Sequence, residues 1–441
     1  MKTSKADLIA QFVFFMSCII YAISINFVHS TYLLERQEFW GYSYYPLNFD
    51  KWLIIFVSIF LTSLATPLKL MKPSSIILYT LYIAVIVPTL VITIGLQEDS
   101  IKIYGIELLC LLIGYVILTI ASILVGNTTG IAYNVPNVNV ERVFLLLWFI
   151  CFFSLLFLFR DVINFVSLDD IYTQRAAGKS RNLFEGYMQT YLPNVICAAL
   201  MALGLIKKKY FYVIFSVAGY LLIFGINAQR TVFLMPLILY GLYKYLNSIS
   251  YKKFILVGFN LFIAAIFCIV AMMPNGATRE FLGFYVVTRI FATPGIMLSL
   301  YHDVFSVTSY TYWSHIKGVS SIVSRPEIFS TNLDWPQLGY IVADYRLGIT
   351  SNSNANIFAA DGVAAAGGVG IIVISIVFAI YLFYLDYLSR DIDPNFKVIV
   401  AFPIGFALTN GSLSTILLSF GGIFWLLFYF YLKTNKLRQY V

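Results

Sequence analysis

This sequence predicts an all-α polytopic membrane protein of about 12 transmembrane helices, and three observations predict it. Its 441 residues are 60% hydrophobic and only 11% charged, far too apolar for a soluble globular chain. Apolar runs of about 18 residues or more, each long enough to cross a bilayer as a helix, recur along the whole length. Lysine and arginine cluster at alternate ends of these runs, as cytoplasmic loops require. The net charge of +8 therefore reads as topology and attraction to anionic lipid. Without a basic stripe or an aromatic–basic module, nucleic acid is a poor partner.

The runs fall at about 8–28, 52–69, 75–96, 103–125, 141–159, 190–206, 210–226, 231–246, 254–272, 362–386, 397–410 and 413–432. The first has no small-residue cleavage site and is expected to stay as a span. Positive clusters at Lys2/Lys5, Lys69/Lys72, Lys207–Lys209, Lys244/Lys252/Lys253, Arg390/Lys397 and Lys433/Lys436/Arg438 alternate correctly, which places both termini in the cytoplasm. The stretch 281–301 is apolar enough for a thirteenth span. Its central Arg289 and its Pro294-Gly295 pair disfavour a lipid-exposed helix, so it is expected to form interfacial or re-entrant helices. One membrane domain, 1–441, then carries a medium periplasmic loop (160–190) and a large one (273–361). Long loops gathered on one face of a bundle commonly carry function.

All five cysteines lie inside predicted spans, and His29, His302 and His315 show no ligand spacing; no metal site is expected. No Walker loop, GxGxxG after a strand, GxSxG, HExxH or CxxC occurs, so no cofactor is expected either. The residues able to carry chemistry are charges at the outer ends of spans. Arg230 opens the run at 231, where free helix N–H groups and a guanidinium make an anion site; the plain alternative is an interfacial arginine that snorkels. Arg279 and Arg289, ten residues apart, share a face if their helix is continuous. Arg289, inside an apolar run, needs a counter-anion. Arg175 belongs to a basic group with Lys179 and Arg181, set among acids that could simply solvate it. His302 and His315 are candidate general bases. Arg346 could bind substrate or pair with Asp344. Tyr310, Tyr312, Trp313 and Trp335 could stack on sugar faces. In NSNANIFAADGVAAAGGVG (352–370), Asp361 stands at the lip of a small-residue span.

These residues together resemble the Wzy-type O-antigen polymerases, the oligosaccharide repeat-unit polymerases. NAQRT at 227–231 is similar to the Arg-led helix of O-antigen polymerases and ligases. NANIFAADGVAAAGGVG is similar to the family's N-x-N-x-x-x-A-D-G segment with its spaced glycines, and Arg175 and Gly186 fit its Arg-x10-Gly pattern. The resemblance implies a GT-C-like glycosyltransferase of the bacterial inner membrane. It would polymerise undecaprenyl diphosphate-linked oligosaccharide repeat units on the periplasmic face, using a lipid-linked donor and acceptor, without metal or cofactor and with a chain-length regulator protein as a partner. On that reading Arg230, Arg289 and Arg279 meet the diphosphate. Asp361 is the first choice of base and His302 the second, while Arg175, Asn354, Asn356 and Arg346 hold sugar. Asp361 could instead cap its helix, worth about 1 kcal/mol, or pair with an arginine. Related ligases carry a histidine where Ala355 stands, which weakens transfer of a histidine-base mechanism. The alternatives are an O-antigen ligase and, from another class, a lipid-linked oligosaccharide flippase or transporter. A transporter of this size tends to show repeat halves and mid-membrane charges, and neither is visible.

Overall fold

The computed structural model describes residues 5–126, 138–165, 171–248, 254–350, 352–353 and 355–438, and among them the regular structure is helical. Eleven of the twelve apolar runs each form a helix, and the last, 413–432, forms a bent pair. They are α1 (Asp7–Arg36), α2 (Phe49–Ala65), α3 (Pro73–Gly95), α4 (Ser100–Leu124), α5 (Asn139–Leu158), α6 (Leu183–Ile206), α7 (Tyr210–Asn227), α8 (Arg230–Leu246) and α9 (Leu256–Met272). After α10 (Ala277–Phe305) come α11 (Phe358–Leu388), α12 (Pro394–Ala407) and the pair α13 (Leu413–Ser419) and α14 (Gly422–Arg438). Eight described helices are long and apolar enough to cross a membrane, or nine if α13 and α14, bent by 53°, count as one span. α3 is wholly enclosed by the others, so it is apolar all round, as a central post must be. The outer helices instead expose large apolar side chains such as Phe12, Ile20, Ile106, Leu109 and Ile120, a surface that only a lipid environment satisfies.

Polar contacts show which helix ends lie together. At one end Lys69 meets Asp7 at 3.9 Å, and Lys72 donates to the Ser122 carbonyl at 2.7 Å. There too Ser74 donates from backbone and hydroxyl to Asp386, Lys207 and Lys209 clasp the buried Glu141, and Asn395 reaches Asn247. This is a lysine-rich end. At the other end Lys51 donates to the Gln97 carbonyl at 2.7 Å, the Tyr45 amide to Gly95 at 2.7 Å and the Asn164 amide to Gly225 at 2.9 Å.

α10 is where expectation and structure part. It is one continuous helix of 29 residues rather than a pair broken at Pro294-Gly295. A π-helical stretch, Gly283–Ala292, widens the turns just before Pro294 and relieves the clash that proline otherwise causes. Gly295 lets the helix cross α3 closely, since a Cβ there would lie 2.9 Å from Pro88 Cβ. Although long enough to cross a membrane, α10 has both ends at the same end of the bundle. Arg279 bonds to the Thr31 and Val270 carbonyls, and Asp303 accepts from the Tyr104 hydroxyl at 2.8 Å. Between them Phe291 dips to pack on Tyr21 and Phe267.

Candidate functional site

The site forms where α11 breaks. Ala366 (φ −163°, ψ 36°) and Gly367 (φ 58°, ψ −138°) leave helical geometry, and glycine alone tolerates that positive φ without strain. The chain turns so sharply there that a Cβ on Gly370 would lie 2.1 Å from the Gly362 carbonyl oxygen. In a straight helix, residues eight apart are about 12 Å apart along the axis. The small residues of the GVAAAGGVG run thus let a short buried segment pack directly on the long helix that follows. Asn356 caps that segment, accepting from the Phe358 and Ala359 amides at 3.0 and 3.1 Å and donating to the Pro294 carbonyl at 2.9 Å.

A break leaves carbonyls without partners, and buried ones are costly. The connection after α10 supplies them: the Thr311 amide donates to the Ala364 carbonyl at 2.8 Å and the Tyr312 amide to Ala365 at 3.0 Å. To make that turn, Tyr312 and Trp313 adopt φ of 46° and 61°, a conformation uncommon for residues other than glycine. The Trp313 indole N–H donates to the Asp361 carbonyl at 2.8 Å. Two residues on, His315 is brought to the Asp361 side chain, its Nε2 lying 3.5 Å from Oδ1. The other carboxylate oxygen, Oδ2, accepts from the Leu413 amide. The carboxylate therefore serves the first turn of α13 rather than capping its own helix, where Asn356 does that work. Asp361 is fully buried, and His315 is 6% exposed. The imidazole Nδ1 lies 2.8 Å from the Thr311 hydroxyl.

His315 and Tyr301 stand on the wall of a cavity of about 1340 Å³, beyond the ~300–1,000 Å³ common for sites that hold one small ligand. Its wall also draws on α6, the start of α8, the end of α12, α13 and the large-loop residues 336–339, with Arg175, Arg181 and Lys317 among its lining side chains. Gly186 is also on the wall, so both ends of the Arg-x10-Gly pattern meet in this one space. Lys317, beside the acid–base pair, makes the cavity suited to an anion at the same wall.

Several residues singled out in the sequence lie elsewhere. Arg230 is between two wall residues, Gln229 and Thr231, and stacks on the Tyr285 ring of α10 at 3.5 Å. Arg289 is exposed rather than buried in its apolar run, because the π turns direct it outward over Phe284 and Trp40, at 4.9 and 5.5 Å. Arg279 is buried and tied to Glu35, Asn275 and the Thr31 and Val270 carbonyls, so it fastens α10 to α1 and α9. Arg346 pairs with Asp303 at 2.9 Å, not with Asp344. His302 is outside the cavity wall, its Nδ1 3.1 Å from Glu107 Oε1 and its ring edge-on to Tyr104. Asn354 lies outside the described residues. Thr311 and Trp313 acquire their parts only through the fold; a hydroxyl four residues before a histidine is the one local signal. Burial pushes the Tyr310 phenol up, with the Glu107 charge adding to it, so its hydroxyl stays a donor beside the break. Among the described residues, no group of three or more His, Cys, Asp or Glu is placed to hold a metal ion.

The helices and their lipid-facing surface define an α-helical, multi-pass membrane protein with a buried acid–imidazole pair beside a large cavity. Compared with protein-family models, curated proteins and solved structures, the chain matches none of them.

Proposed function

We propose that the protein is a GT-C-like membrane glycosyltransferase joining oligosaccharide repeat units carried on undecaprenyl diphosphate, in the manner of the Wzy-type polymerases it resembles. The observation that carries this reading is the His315 ring, backed by the buried Asp361 carboxylate, on the wall of a cavity that also bears Arg175, Arg181 and Lys317. Polymerisation needs those parts together: a base for the acceptor hydroxyl, and cations for the charge developing on the leaving diphosphate. The volume gives room for the ends of two lipid-linked substrates. With lysines at the cytoplasmic end, the cavity faces the periplasm. With both ends of α10 on that side, the remaining helices make twelve crossings.

In the reaction, the donor chain's anomeric carbon sits between the acceptor hydroxyl and the diphosphate. The acceptor oxygen bonds to that carbon as its proton passes to the Asp361–His315 pair, and the bond to the diphosphate oxygen breaks with its electron pair leaving on the diphosphate. Arg175, Arg181 and Lys317 take the role first expected of Arg230, Arg279 and Arg289.

The test is complementation of cells deleted for the gene, with surface glycan resolved by chain length. Wild-type protein should restore long polymer, while Asp361→Asn and His315→Gln should leave lipid-linked single units at normal protein levels. A deletion strain with undiminished long polymer sinks the reading. One that loses glycan transfer to lipid A-core, single units included, favours a ligase instead.

A further inference from the structure

The Asp361–His315 pair has a third member that the reaction above does not use. Thr311 is fully buried, and its backbone is pinned by the bond to Ala364, so its hydroxyl is held 2.8 Å from His315 Nδ1. On the opposite side of the ring, Nε2 and Asp361 Oδ1 are 3.5 Å apart, and each is buried without a hydrogen bond. A proton on Nε2 would draw the carboxylate in to the ~2.7–2.9 Å of a charge-assisted bond. The separation fits a ring whose proton is on the Thr311 side.

We propose that Thr311 is a positioning residue that holds His315 as the Nδ1–H tautomer, leaving Nε2 bare as the base, which the acceptor hydroxyl reaches by parting it from Asp361 Oδ1. The inference rests on the transferase reading for its chemistry, though not for the tautomer itself. The acceptor proton moves to Nε2, the imidazolium closes on Asp361 Oδ1, and Thr311 Oγ1 keeps accepting from Nδ1–H throughout. The acceptor oxygen meanwhile takes the anomeric carbon and the diphosphate departs with the bonding pair, so charge is conserved. The hydroxyl therefore stabilises both the ground state that is competent and the cation it becomes. Other titratable groups around the ring are Tyr301 on the same wall and Lys317 two residues along.

With only three histidines in the chain, selective 15N-histidine labelling in lipid bilayers gives three imidazoles, and His315→Gln identifies the one that matters. The wild-type ring should show the Nδ1–H tautomer; Thr311→Val should shift it towards Nε2–H, and Thr311→Ser should keep it. Measured with undecaprenyl diphosphate-linked oligosaccharide, Thr311→Val should lose about 10²-fold or more in turnover, the scale of general-base catalysis, with Thr311→Ser close to wild type. An Nε2–H tautomer in the wild type, or Thr311→Val with unchanged spectrum and turnover, overturns the assignment. Wild-type protein that transfers no glycan while showing the expected tautomers overturns the transferase reading alone.

Discussion

Replacing Gly370 with alanine drives a methyl group into the backbone of the buried segment of α11. The new carbon would sit 2.1 Å from the Gly362 carbonyl oxygen and 2.9 Å from its carbon, about 1.4 and 0.6 Å inside the ~3.5 Å contact optimum. Both obstructing atoms belong to backbone, so no side-chain rotation relieves them, and the two halves of the broken helix must part. Overpacking of this kind costs about 1–3 kcal/mol, against about 0.5–1 kcal/mol that alanine gains over glycine in a helix. The net is a loss of up to about 2.5 kcal/mol. Gly258→Ala in α9 is the control, because no atom lies within 4 Å of its added Cβ, and it should hold or gain stability. The assay is thermal unfolding in detergent with a thiol-reactive dye, since Cys18 and Cys197 are buried and free. Gly370→Ala should melt below wild type and Gly258→Ala at or above it. Equal melting of the two variants would refute the packed-hairpin account of the break.

Arg279→Ala should lower the melting temperature, because it strands the buried Val270 carbonyl at about 1–3 kcal/mol, whereas Arg175→Ala should shorten the glycan; melts of the first and gel profiles of the second check this. Trp313→Phe keeps the ring but deletes the donor to the Asp361 carbonyl, and should cost about 1 kcal/mol, read in the same melt. Sidedness is checked with a membrane-impermeant maleimide on intact cells. Leu333→Cys, at a 99% exposed site, should label, and Lys208→Cys at the lysine-rich end should not.

The helices were legible because apolar period and charge clustering are local properties: the run expected at 231–246 is the helix Arg230–Leu246. Asp361 was legible as a residue to single out, being a lone acid beside an apolar run, and the fold buries it fully. Its partner was not. His315 lies 46 residues away in a connection without periodicity, and nothing local separates it from His302, which faces Glu107. The arginines show the same limit. Composition marks Arg279 and Arg289 alike, but the turns of the helix bury one beneath α1 and turn the other outward. Gly367 and Gly370 marked a small-residue span, while the break itself emerges only once the Thr311–Tyr312 amides arrive to complete it.

Those two amides also bear on how the molecule can be re-engineered. The stretch after α10 lends its own backbone to the hydrogen bonding of α11, so it is no detachable module. Grafting the large loop into a related bundle, as one would exchange antibody loops, would leave the Ala364 and Ala365 carbonyls stranded and release Asp361 along with them. New specificity has to be written residue by residue onto the cavity wall, or transplanted with both halves of the broken helix in one piece.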